Sequence, residues 1–185
     1  MSEQVATAEN DCSVSMLGAN LLVVVSAGPI AAALALAYAA KWGMRSLAYG
    51  VWALLDLKIF LITVLPGVLA HELIHGVAWA VFARRPLSSI QVGVRWRNVT
   101  PYAHPKDAMP VGAYRVGAVM PAVVMGLLPA VGAIVLGRPL LMAWSLVFVL
   151  AAGGDLVVLW LIRRVPAGRM VQDHPTRAGC QVLTG

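Results

Sequence analysis

Charge is scarce in this chain: Asp, Glu, Lys and Arg together make up 12% of it, against 60% hydrophobic residues. That balance excludes a soluble globular domain of ordinary composition. Cysteine is nearly absent too, and Cys12 and Cys180 have neither a CxxC neighbour nor a His-spaced partner. The sequence therefore offers no disulfide framework and no thiolate zinc site. A long basic run is also missing. The 14 Lys and Arg produce a net charge of +6, but they stand at the edges of apolar segments, which makes the lipid bilayer the expected partner and excludes nucleic acid. The opening stretch MSEQVATAENDCSVS lacks a basic n-region, so the first apolar segment reads as a retained anchor.

Apolar length is what the sequence has in quantity. A helix needs about 20 apolar residues to cross the hydrocarbon core, and the 185 residues read as a single membrane domain, 1–185, with four spans at 16–40, 59–83, 114–136 and 140–162. Residues 47–58, with Asp56 and Lys58, read as an interfacial lead-in. The predicted fold class is all-α membrane protein with one short β-strand or hairpin between spans two and three. That β element lies in the polar loop 84–113, where Ile90, Val92, Val94 and Trp96 alternate with Gln91, Gly93, Arg95 and Arg97. Gly137-Arg138-Pro139 makes a turn between the last two spans, and the tail 163–185 reads as loop or coil. The Lys and Arg residues divide ten to four in favour of both termini and the 84–113 loop being cytoplasmic, which predicts a multi-pass cell-membrane protein.

Inside span two stands His71-Glu72-Leu73-Ile74-His75, an HExxH pattern whose other neighbours from Leu69 to Val81 are apolar or Gly. Histidines at i and i+4 share one helix face, so both imidazoles can bind one Zn²⁺, and Glu72 stands beside them to work on a water. A carboxylate in the bilayer costs about 2.5–3.5 kcal/mol on insertion scales, so its presence there marks a functional site. Pro66 frees a backbone carbonyl one turn before the motif.

Catalytic zinc takes three protein ligands, and Asp155, after Gly153 and Gly154, is the acidic residue within span four. At 1.5 Å per residue the motif lies about 16 Å from Arg84 and Asp155 about 12 Å from Arg163, so the depths match. The two glycines would let the HExxH helix approach. His104 and His174, both in proline-flanked loops, are the alternative third ligands. A haem bound by both motif histidines is excluded, because i,i+4 residues cannot take opposite axial positions.

At HELIHG (71–76), TPYAHPKDAMPVGAYRVGAVMP (100–121) and GGDLVVLWLIRRVP with VQDHPTRAG (153–179), the chain resembles the zincin peptidase family of small prokaryotic membrane proteins. More distantly it is similar to the site-two class of intramembrane metalloproteases. The resemblance covers roughly residues 60–180. It implies zinc held by His71, His75 and Asp155, with Glu72 as the catalytic acid/base, although the site-two class usually sets its aspartate in Asn-Pro-x-x-Asp-Gly or Leu-Asp-Gly and here it follows two glycines. The function expected is zinc-dependent intramembrane hydrolysis of peptide bonds in membrane-anchored or membrane-proximal polypeptides, with strand 90–97 pairing to an unwound substrate. The rival readings are a non-catalytic metal-binding membrane protein and a membrane-protein scaffold.

Overall fold

The computed structural model describes residues 8–95, 100–174 and 176–183. Three helical stretches in it are long and apolar enough to cross a membrane: Leu57–Phe82, Val111–Leu136 and Pro139–Leu161. The expected first span, 16–40, is instead two shorter helices, α1 (Met16–Ser26) and α2 (Gly28–Trp42). The break falls at Ala27, where Pro29, having no N–H, opens α2 in its first turn. The 47–58 lead-in lies mostly within a separate helix, α3 (Met44–Leu54), whose Leu47, Gly50 and Leu54 are buried.

The first candidate span is α4 (Leu57–Phe82), capped by Asp56, which accepts from the backbone N–H of Lys58 at 3.0 Å and Ile59 at 3.2 Å. Asp56 thus begins this helix rather than interrupting an apolar run. Along α4, Leu61, Leu65, Leu69, Leu73, Val77 and Val81 form an exposed apolar stripe at a spacing of four. Val64, Gly67, His71, His75 and Trp79 form the buried one. An outer face that stays this apolar suits lipid and puts the polar residues inside.

The second candidate span joins α5 (Val111–Pro121) to α6 (Leu128–Leu136) through a π-helical turn, Ala122–Leu127. In that turn the N–H of Leu128 reaches back to Val123 O, next to Pro129, which has no N–H to give. Gly137, at φ 66°, ends α6 in the left-handed conformation. The last candidate span is α7 (Pro139–Ala151) followed by α8 (Gly153–Leu161), with Asp155 in the first turn of α8.

The strands gather beside α4, α5 and α8. After Phe82 the chain enters β2 (Ile90–Arg95), which pairs antiparallel with β3 (Thr100–Pro105). Trp96 and Arg97 lie outside the described residues. A four-stranded antiparallel sheet runs in the order β1 (Ala8–Val14), β6 (Ala178–Leu183), β5 (Met170–Asp173), β4 (Met109–Pro110). The C-terminal tail, expected to be coil, is therefore a hairpin, and its partner is the N-terminal segment. Because pairing between chain ends is set by tertiary contact and leaves no local periodicity, it was invisible in the sequence. The same pairing sets Cys12 opposite Cys180, both as free thiols. One core seals sheet to helices: Trp79, Met109, Val111, Tyr114, Ile162, Val171 and Val182 are all buried in it.

Candidate metal centre

The site is built from two helices. On the buried face of α4, His71 and His75 stand one turn apart with ring centroids separated by 4.9 Å. From the first turn of α8, Asp155 reaches between them: Oδ2 is 3.3 Å from His71 Nε2 and Oδ1 is 3.3 Å from His75 Nε2. A carboxylate in the first helical turn is also favoured by the helix dipole. Among the described residues these three form the group that could hold a metal ion, with their donor atoms all within 4.8 Å of one another.

The residues fit such an ion on the structure's own evidence. Ligand atoms at about 2.0–2.1 Å from a tetrahedral zinc stand about 3.3–3.4 Å from each other, and the two Nε2–carboxylate distances are 3.3 Å. Asp155 Oδ2 is buried and makes no hydrogen bond among the described residues. Buried polar atoms without partners are rare and call for a compensating group. His75 Nδ1 lies 2.8 Å from the carbonyl of Gly117 in α5. A carbonyl can only accept, so Nδ1 carries the hydrogen and Nε2 keeps its lone pair for a metal.

Close approach of α5 to α4 makes that contact. A Cβ on Gly117 would fall 2.0 Å from Trp79 Cδ1, so only glycine admits the indole here. Trp79 donates its Nε1–H to Tyr114 O at 3.1 Å and stacks on the His75 ring at a centroid distance of 5.1 Å. Gly153 does not serve the role expected of it. Its Cα faces α1, where a Cβ would meet Val23 and Ala27, while nothing lies within 4 Å of one on Gly154. Neither glycine brings α4 close; Asp155 reaches the histidines from the head of α8 without them.

Glu72 stands apart from the three donors. Its Oε2 accepts the backbone N–H of Ala103 in β3 at 2.9 Å, and it lines a cavity of about 270 Å³ together with His75, Asp155, His104, Asp173 and Arg177. Expected alternatives to Asp155 take other positions. His174 Nδ1 accepts the N–H groups of Thr176 at 3.2 Å and Arg177 at 3.0 Å, which makes it a turn residue. His104 Nδ1 pairs with Asp173 Oδ2 at 2.5 Å. Neither belongs to the three-residue donor group.

β3, and not β2, is the strand against Glu72. In the β2–β3 register Pro101, Ala103 and Pro105 oppose Val94, Val92 and Ile90. Prolines cannot donate to the ladder, so these odd positions turn their backbone groups away from β2. The Ala103 N–H bonding Glu72 agrees with this. The outer edge of β3 thus runs along the cavity. Sequence reasoning missed the Gly117 carbonyl, the Ala103 amide and the stacking Trp79. Only Trp79 left a signal, standing four residues after His75 on the same helix face.

Residues 64–170, more than half of the chain, match the model of a family described as "Putative zincin peptidase". No curated protein and no solved structure matches the chain.

Proposed function

This chain belongs to the "Putative zincin peptidase" family, and from that premise we propose that it is a zinc-dependent intramembrane endopeptidase. Its substrates are membrane-anchored or membrane-proximal polypeptides. The observation that carries the reading is the division of labour at the site: three donors converge, and Glu72 lies next to them, oriented by Ala103 and unused as a donor. A protein that only stores metal has no use for a carboxylate held aside on the cavity wall.

His71, His75 and Asp155 would hold the zinc. The ion supplies a Lewis acid that polarises a peptide carbonyl and brings the pKa of a water toward about 7. Glu72 takes the proton of the attacking water and later delivers it to the leaving amine. The Ala103 N–H fixes one of its oxygens, which leaves the other for that proton. A substrate strand running along the outer edge of β3 would bring its carbonyl to the site in the extended form that hydrolysis requires. The expected pairing strand therefore shifts from 90–97 to β3. The three apolar helical stretches and the lipid-suited stripe of α4 support placement in the cell membrane. The excess of Lys and Arg at the strand-bearing end supports cytoplasmic termini.

Elemental mass spectrometry on detergent-purified wild type, Glu72→Gln and Asp155→Ala tests the reading. One zinc per chain is expected in the first two and loss in the third. Glu72→Gln should also retain uncleaved membrane peptides that wild type releases as fragments. Folded wild type without metal would refute the assignment.

A further inference from the structure

The four-stranded sheet brings together two residues from opposite ends of the sequence: Cys12 of β1 lies directly across from Cys180 of β6, both as free thiols. Residues directly opposite in an antiparallel pair put their side chains on the same face, with Cα atoms about 4.5 or 5.5 Å apart according to their place in the ladder. Both separations fall within the roughly 4.4–6.8 Å that a disulfide spans. The shared face is the inner one. Cys180 is fully buried in the core that seals sheet to helices, and Cys12 packs against the same core.

Three contacts hold β1 in this register at the pair itself. Gly179, which opposes Ser13, has φ 130°, and a Cβ on it would fall 2.2 Å from Cys12 O, so the two strands close here over a residue without a side chain. Arg177 donates from Nε to Ser13 Oγ at 2.7 Å and from Nη2 to Ser13 O at 3.3 Å, which clamps the neighbour of Cys12. The hairpin that β1 is tied to also walls the metal cavity, through His174, Arg177, Ala178 and Gly179.

The two sulfurs differ in access. Cys12 is half-buried and lines an open groove of about 470 Å³ with Leu161, Arg164, Val165 and Val182, whereas Cys180 is fully buried. Burial, with the Cys12 sulfur beside it, pushes the Cys180 thiol up to about 12, and burial raises Cys12 as well. Each thiol alone is therefore inert at neutral pH, and what reactivity there is begins at Cys12.

We propose that Cys12 and Cys180 are a redox modification site, at which an intramolecular disulfide fastens the two chain ends together beside the metal cavity. The oxidant is a small disulfide from solution. The Cys12 sulfur loses its proton to solvent and attacks one sulfur of that molecule, whose S–S bond breaks and releases one small thiol. The Cys180 sulfur then loses its proton, attacks the Cys12 sulfur and expels the second small thiol. Two electrons and two protons leave the protein and are carried by the two small thiols. At pH 8 about one Cys180 in 10⁴ is ionised, but a group held opposite its target acts at an effective concentration of about 10⁵ M or more. The second step thus outruns attack by millimolar thiol, and the oxidant never has to reach Cys180.

Glutathione disulfide is the probe, applied to the purified full-length protein in detergent at pH 8. Peptide mapping without reduction should find Cys12 joined to Cys180, formed at a rate independent of protein concentration and reversed by dithiothreitol. The bridged form should melt about 5 °C or more above the reduced form, because a bond between the chain ends closes a very long loop in the unfolded state. Cys180→Ser should stop at the first step and hold one glutathione on Cys12, while Cys12→Ser should stay unmodified until it is unfolded. If Cys180→Ser does not fold, wild type and Cys12→Ser decide the matter. A Cys12 adduct that persists in folded wild type, disulfide-linked dimers, or two thiols left unmodified would each overturn the proposal. So would a joined peptide with an unchanged Tm, which marks a bond made by frayed ends and not by the folded sheet.

Discussion

Gly117→Ala is a single methyl placed where the packing of α4 against α5 and the orientation of His75 depend on the same atoms. The added Cβ would lie 2.0 Å from Trp79 Cδ1 and 2.1 Å from its Nε1, whereas carbon–carbon contact begins at about 3.5 Å. Something must shift by about 1.5 Å. If the indole moves, it leaves the His75 ring it stacks on. If α5 moves, the 2.8 Å bond from His75 Nδ1 to Gly117 O opens well beyond hydrogen-bond length. Either way the imidazole loses a contact that holds its orientation, and losing such support behind a ligand lowers metal affinity about 10- to 100-fold. That is about 1.4–2.7 kcal/mol of binding, on top of about 1–3 kcal/mol of overpacking strain in the apo fold. The assay is zinc competition against chelators of graded affinity, with thermal unfolding in detergent alongside. Gly112→Ala is the control: it stands on the same helix, nothing lies within 4 Å of its added Cβ, and it should leave zinc affinity unchanged and Tm unchanged or slightly raised. Wild-type affinity and Tm in Gly117→Ala would refute the coupling of helix packing to the metal centre.

Burial pushes the Cys180 thiol up to about 12 and also raises that of Cys12, so Cys180 should resist iodoacetamide at pH 8–9 in the fold and react on unfolding. A thiol that keeps its proton to higher pH when folded has no effect on stability below about pH 9. Above that, stability falls as the unfolded chain ionises, by at most about 1.4 kcal/mol per pH unit up to about 12. Cys180→Ala should flatten the alkaline limb of the Tm-against-pH curve relative to wild type. Asp56→Ala removes the cap of α4 and should cost about 1 kcal/mol in chemical unfolding without changing zinc content. Arg115 donates to the carbonyls of Ile162 and Val165 at the end of α8, so Arg115→Met should destabilise by about 1–3 kcal/mol. The loss should show as faster proteolysis of the 163–183 segment.

The sequence by itself determined the membrane-like composition and the α4 histidines with their shared face, and it pointed to Asp155, the acidic residue of the fourth expected span at a matching depth, which the structure sets 3.3 Å from each histidine. Each is a property of local order: helical spacing places i and i+4 together whatever the rest of the chain does, and an apolar run reports its own length. Alternation likewise marked residues 90–97 as a strand, of which β2 covers Ile90–Arg95 and the remainder lies outside the described residues. Tertiary structure decided the rest. The chain-end sheet joins segments at opposite ends of the sequence, which no local pattern encodes. The carbonyl of Gly117, the amide of Ala103 and the link from His104 through Asp173 to Tyr114 consist of backbone groups and distant side chains. Every residue has an N–H or C=O, so composition cannot say which of them will meet a histidine or a glutamate. Only the packing of α5 and β3 against α4 made that choice.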